Sequence, residues 1–147
     1  NKPAAQQMRS RAGFQRLMTR LNSVTQEIDR TTTKRIGTLL ANALEQGLPP
    51  SEVSIMIDDL LDDPVRALMI AQTEMSDATI QSSLELYRDS GVEMTEYLVA
   101  DPCDDCAENE KASPLPIDEE YPMGNPPVHP NCMCDIAPYT VDTQEKF

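Results

Sequence analysis

A chain of 147 residues with no tryptophan, 4% aromatic side chains and a formal net charge of −13 has room for one modest core, or for a helical arm with a small compact end, and excludes two large independent domains. With so few aromatics the core must come from Leu, Ile, Val, Met and Ala, a composition that packs helices better than a large β-sandwich. No apolar run approaches the roughly 18 residues that would span a bilayer, and the opening "NKPAAQQMRSR" lacks a hydrophobic signal core, so a soluble protein is expected.

In chain order, Met8, Ala12, Leu17, Met18 and Leu21 recur at helical spacing, with Val24 and Ile28 continuing the stripe, and predict one long helix or two. A second stripe, Ile36, Leu39, Leu40, Ala43 and Leu44, runs into "EQGLPPS", where Gly47 suits a left-handed cap and Pro49 and Pro50 stop the helix. The β-branched run "RTTTKR", residues 30–35, is the expected break between the stripes. Ser51 as N-cap and Glu52 in the first turn then open a short helix carrying Val53, Ile55, Met56, Leu60 and Leu61. Asp63 and Pro64 open a longer one that Gly91 ends, and Val65, Leu68, Met69, Met75, Ala78, Thr79 and Leu86 are expected on its inward face, the methionines as core filling.

After Gly91 the period changes, and "VEMTEYLVA" alternates as one short strand. Beyond it "ASPLPIDEEYPMGNPPVHP" holds six prolines in nineteen residues; it cannot be a helix and needs a tether to be ordered. The expected fold is mainly α. A basic helical arm over residues 1–46 and a helical part over residues 47–92 form a helix bundle, followed by a small irregular α+β, zinc-clamped module with short strands over residues 93–147.

Charge follows the same division. Residues 1–50 carry eight basic side chains against three acidic (+5), while residues 51–100 and 101–147 each carry two against eleven (−9 each). An acidic body repels phosphate backbones, so packaged DNA would be met only by the basic N-terminal arm, and a solvated helix face is the plainer account of that basicity.

The cysteines supply the tether. Cys103 and Cys106 form a C-x-x-C in "DPCDDCAEN"; after 25 intervening residues Cys132 and Cys134 form a C-x-C, and the only histidine, His129, precedes them as H-x-x-C-x-C. Two short chelating pairs flanking a long irregular loop suit tetrahedral zinc, because each pair supplies two ligands from one tight turn. Two disulfides between the pairs would staple the loop as well, but without other signs of secretion zinc in a reducing compartment is favoured. No βαβ pattern surrounds the C-x-x-C, which argues against a redox enzyme. Five donors, Cys103, Cys106, His129, Cys132 and Cys134, compete for four positions. Four thiolates would leave a net charge of about −2 beside Asp101, Asp104, Asp105 and Asp135, so charge favours three cysteines with His129, unless His129 only hydrogen-bonds to a ligand. One structural Zn2+ per chain is expected.

Catalytic parts are missing elsewhere. No Ser or Cys outside this knuckle is paired with a base, and no glycine-rich phosphate loop occurs. A metal-dependent hydrolase would need an open zinc position with Glu108 or Asp105 as base, whereas so many soft donors favour a closed site.

Residues 43–138, from "ALEQGLPPSEV" through "MIAQTEMSD" and "DPCDDCAEN" to "HPNCMC", resemble the minor head protein (head morphogenesis) family of tailed bacteriophages, of the Mu protein F-like type. That pattern runs as a G-x-S or G-x-P helix start, an "A-R-T-E" helix, a "Y…G" end, a strand, "D…C-x-x-C" and "H-P-N-C-R-C". Thr73, Glu74, Cys103, Cys106, His129, Cys132 and Cys134 stand in its positions, while Gln72 and Met133 replace two arginines, whose charge contacts do not carry over. The resemblance implies a non-enzymatic minor capsid protein of the virion, at the capsid interior or portal vertex and in the host cytoplasm during assembly. Its implied partners are the portal protein, in several copies per portal, and other head proteins, with no membrane. The alternative from another class is a small metal-dependent effector or nuclease-like module.

Overall fold

The computed structural model describes residues 1–22, 28–100, 103–129 and 132–140, so Val24 lies outside the described residues. In order these form α1 (Lys2–Arg9), α2 (Arg11–Leu21), α3 (Arg30–Gln46), α4 (Pro50–Leu61), α5 (Pro64–Asp89), β1 (Met94–Leu98), α6 (Asp104–Ala112), β2 (Leu115–Pro116) and β3 (Asp135–Tyr139). The chain is mainly helical, with one small antiparallel sheet. Contacts divide it into two compact units, residues 1–82 and 83–147.

The first apolar stripe is two helices, divided at Ser10. Its hydroxyl donates to Gln7 O at 2.8 Å, closing α1, and accepts from Gly13 N at 2.9 Å, opening α2. A Cβ on Gly13 would lie 1.9 Å from Gln7 O, so this corner admits only glycine. The expected break at residues 30–35 is not there. The carboxylate of Asp29 accepts from Thr32 N at 2.8 Å and from Thr32 Oγ1 at 2.9 Å, so "RTTTKR" forms the first turns of α3. A capping carboxylate outweighs the modest helix cost of three threonines. Buried Thr33 also satisfies its hydroxyl by donating to Asp29 O at 3.0 Å.

The other caps largely follow the sequence. Gly47 is left-handed (φ 73°) and Leu48 N donates back to Ala43 O at 2.9 Å; Gly91 (φ 83°) ends α5 in the same way through Val92 N and Tyr87 O, also 2.9 Å. Asp63 accepts from Arg66 N at 3.0 Å, with Pro64 as the first residue of α5. Ser51 is no cap: α4 begins at Pro50, whose missing N–H needs no partner there.

Within the first unit Ala4, Met8, Leu17 and Leu21, Ile36, Leu40 and Leu44, Val53 and Ile57, and Ala67, Ile70, Ala71, Met75 and Ala78 form one core. The apolar stripes of residues 1–46 pack with residues 53–78 in this one core, inside the unit of residues 1–82. The expected inward face of α5 is also corrected: Met75 and Ala78 are buried, but Val65 is 80% exposed, Leu86 62%, and Leu68 and Thr79 are exposed too. On α4, Ile57 is buried and Ile55 and Met56 are not.

In the second unit β1 is central, in the order β2-β1-β3, antiparallel to both neighbours. Thr95 and Tyr97 face inward; Tyr97 packs its ring 5.1 Å from that of Tyr121, whose hydroxyl donates to Thr95 O at 2.9 Å. Leu98 pairs with Asp135, so the chain leaving β1 and the chain entering β3 lie at the same end of the sheet. That end carries both cysteine pairs.

Candidate metal centre

The first donor pair is made by a helix that sequence reading missed. Cys103 is the N-cap of α6, extended at φ −89° and ψ 173°, and its Sγ accepts from Cys106 N at 3.3 Å. Asp104 and Asp105 in the first turn and Lys111 in the last match the helix dipole, a signal present in "DDCAENEKA". One turn of helix puts both sulfurs on one side, with Sγ to Sγ at 3.2 Å.

The second pair comes from the far side of the proline-rich loop. Cys132 N donates to His129 O at 3.2 Å, and these two residues bring His129 Nε2 and Cys132 Sγ to 3.7 and 3.9 Å from Cys106 Sγ. Cys134 precedes β3, with its Sγ 3.8 Å from Ala100 O.

All five donors named from the sequence thus converge. They form two groups of three, Cys103–Cys106–His129 and Cys106–Cys132–Cys134, each with its donor atoms within 4.8 Å of one another. Cys106 belongs to both. It is fully buried, as are Cys132 and Cys134 nearly, whereas Cys103 and His129 are partly exposed. Metal–sulfur bonds of about 2.3 Å put the edges of a tetrahedron near about 3.8 Å, close to the separations around Cys106. The donors are therefore spaced to hold a metal ion after small adjustments, through two triads that overlap at Cys106. All four cysteines are free thiols in this arrangement.

The two sulfurs of the C-x-x-C differ electrostatically. The backbone N–H of Cys106 pulls the Cys103 thiol below the usual thiol range, while burial pushes Cys106 up to about 12. A cation is the group that would deprotonate Cys106.

Asn109 supports the loop from α6 and had no sequence signal beyond its place one turn after Cys106. It is completely buried; its Nδ2 donates to Gly124 O at 2.9 Å and its Oδ1 accepts from Met123 N at 2.8 Å. Glu108, by contrast, is exposed and paired with Lys111 at 2.8 Å, and Asp105 is exposed; neither belongs to a donor triad. Glu74 is buried in the first unit, where Arg20 Nη2 lies 2.6 Å from its Oε2, and Thr73 beside it is buried too. No helix among the described residues is long and apolar enough to cross a membrane. No family model, curated protein or solved structure matches the chain.

Proposed function

We propose that the Cys/His cluster is a structural zinc site, one ion per chain, and that the chain is a non-enzymatic minor capsid protein of a tailed phage that meets the portal during head assembly. The observation that carries the zinc reading is Cys106, fully buried and within 3.7 and 3.9 Å of donors from across the loop. Thiolates and imidazole around a small tetrahedral space suit zinc, which has no redox chemistry and no geometric demand of its own. A structural zinc contributes on the order of 10 kcal/mol, the kind of term a proline-rich segment with few buried apolar groups needs. An open hydrolytic site is the weaker reading, because no carboxylate among the described residues joins the donor triads.

The head-protein part rests on the resemblance over residues 43–138, whose motifs occur in the order helix, strand, C-x-x-C and HPNC-x-C. A protein partner is favoured over DNA. Arg9, Arg16 and Arg20 are each paired with an acid of their own unit, which lowers the field available to phosphates. Lys34 and Arg35 remain exposed on α3 and are the cations best placed to meet an acidic portal surface.

Native mass spectrometry of protein purified under reducing conditions should show one zinc per chain. A metal-free chain without free thiols would give the site to disulfides. For the partner, co-purification with the portal protein of the same phage should be weakened by Lys34→Glu with Arg35→Glu; a wild-type portal interaction in that double variant, or none in the wild type, refutes the assignment.

A further inference from the structure

We propose that Cys103 and Cys106 are a peroxide-sensitive pair whose oxidation to a disulfide releases the bound ion; the release step rests on the zinc reading above. Cys103 is the one partly exposed sulfur of the four, so an oxidant from solvent meets it first. Its neighbour Cys106 is already 3.2 Å away, nearer than the 3.9 Å between Cys106 and Cys132. Both sit in the first turn of a helix whose backbone fixes their spacing, and closing to a disulfide of about 2.0 Å asks for a sulfur shift of only about 1 Å.

The consequence for the ion follows from the donor sets. Cys106 is the single residue common to both triads, so a Cys103–Cys106 disulfide breaks both at once. It leaves His129, Cys132 and Cys134, which do not make up a triad of their own. A Cys132–Cys134 disulfide, by contrast, would leave the Cys103–Cys106–His129 triad whole.

The chemistry closes with hydrogen peroxide as the oxidant. The Cys103 sulfur attacks one peroxide oxygen, the O–O bond breaks, and the first water leaves from a Cys103 sulfenic acid. The Cys106 sulfur then attacks the Cys103 sulfur and displaces the hydroxyl as a second water. The two sulfurs lose two electrons, which reduce the peroxide. Two protons, from the thiols or from solvent where the ion holds thiolates, complete the two waters, and the ion departs hydrated.

The test uses the full metal-loaded chain, stepwise hydrogen peroxide, a zinc-sensitive dye, and mapping of the first disulfide by mass spectrometry. Loss of the zinc should run in step with a Cys103–Cys106 disulfide, and a dithiol reductant with added zinc should restore the starting mass. A first disulfide that joins Cys132 to Cys134, or crosses between the two halves, overturns the inference. So does zinc that stays bound after Cys103–Cys106 oxidation is complete, an outcome that leaves the structural-zinc reading standing. A chain that carries no ion before peroxide fails that earlier reading and the release step with it.

Discussion

Arg20 holds the buried carboxylate of Glu74 with two nitrogens, Nε at 2.7 Å and Nη2 at 2.6 Å. The same Nη2 reaches Asp77 at 2.9 Å, and Arg16 Nε lies 3.2 Å from that second acid. α2 and α5 are thus joined by two cations and two anions. Burial raises the Glu74 carboxyl above its ordinary range, and Arg20 opposes this without cancelling it. For Arg20 burial works against the charge, but Glu74 and Asp77 outweigh it and hold the guanidinium charged.

Replacing Arg20 by Ala therefore leaves Glu74 buried without its main partner and should cost about 3 kcal/mol at neutral pH. A carboxyl whose folded pKa is raised contributes stability that is complete below its unfolded pKa and is lost as pH rises through the folded value. The deficit should shrink on acidification through that window, as Glu74 takes up its proton. Urea melts at neutral and mildly acidic pH decide it; a deficit that grows on acidification would contradict the sign.

The corner at Ser10 makes a second expectation. Gly13→Ala drives a methyl into Gln7 O and should cost about 2 kcal/mol, as overpacking does. Gly37→Ala is the control: its Cβ meets only Leu17 Cδ2, at 3.3 Å, and the gain in helix propensity of about 1 kcal/mol offsets the contact. Equal melting temperatures for the two variants would rule out the tight corner.

At the start of α5, Asp63→Ala removes the acceptor for Arg66 N and should cost about 1 kcal/mol. Pro64→Ala should cost little, since the first N–H of a helix has no intrahelical partner. Thermal melts separate the pair, and large equal losses would mean that α4 and α5 depend on this junction for more than a cap.

For the metal centre, Cys106→Ser removes the donor shared by both triads and should abolish zinc binding, leaving residues 103–139 open to protease while the first unit keeps its helices. His129→Ala distinguishes the ligand sets: zinc lost assigns three cysteines with His129, and zinc retained assigns four cysteines. Metal content after dialysis reads both. A Cys106→Ser chain with its full zinc would show that Cys106 is no ligand.

The donors were legible because chelation is written in short spacings: C-x-x-C and H-x-x-C-x-C survive any uncertainty about what lies between them. Asp63, Gly47 and Gly91 were legible as caps for a similar reason, each acting within one turn. The inward face of α5 was not, because Val65, Leu68 and Leu86 make one apolar stripe and Ala67, Ile70 and Ala71 another. Periodicity cannot choose between two stripes; the choice depends on Arg20 and Arg16 standing across from Glu74 and Asp77, a pairing with more than 50 residues between its members. The break before Arg30 was misplaced because propensity weighs three threonines against the helix and takes no account of a carboxylate one residue upstream.

Cys103 has two roles, since its sulfur caps α6 before it is offered to any ion. A helix turn forms in about a microsecond or less, and it needs no distant partner. Half of the chelate is therefore preassembled by neighbouring residues, while His129, Cys132 and Cys134 must arrive across a long loop. An ion caught first by the capped pair converts their arrival into an intramolecular encounter, at an effective concentration on the order of millimolar. The order of events in assembly is thereby set by sequence separation, with the near ligands as the seed and the far ones as the closure.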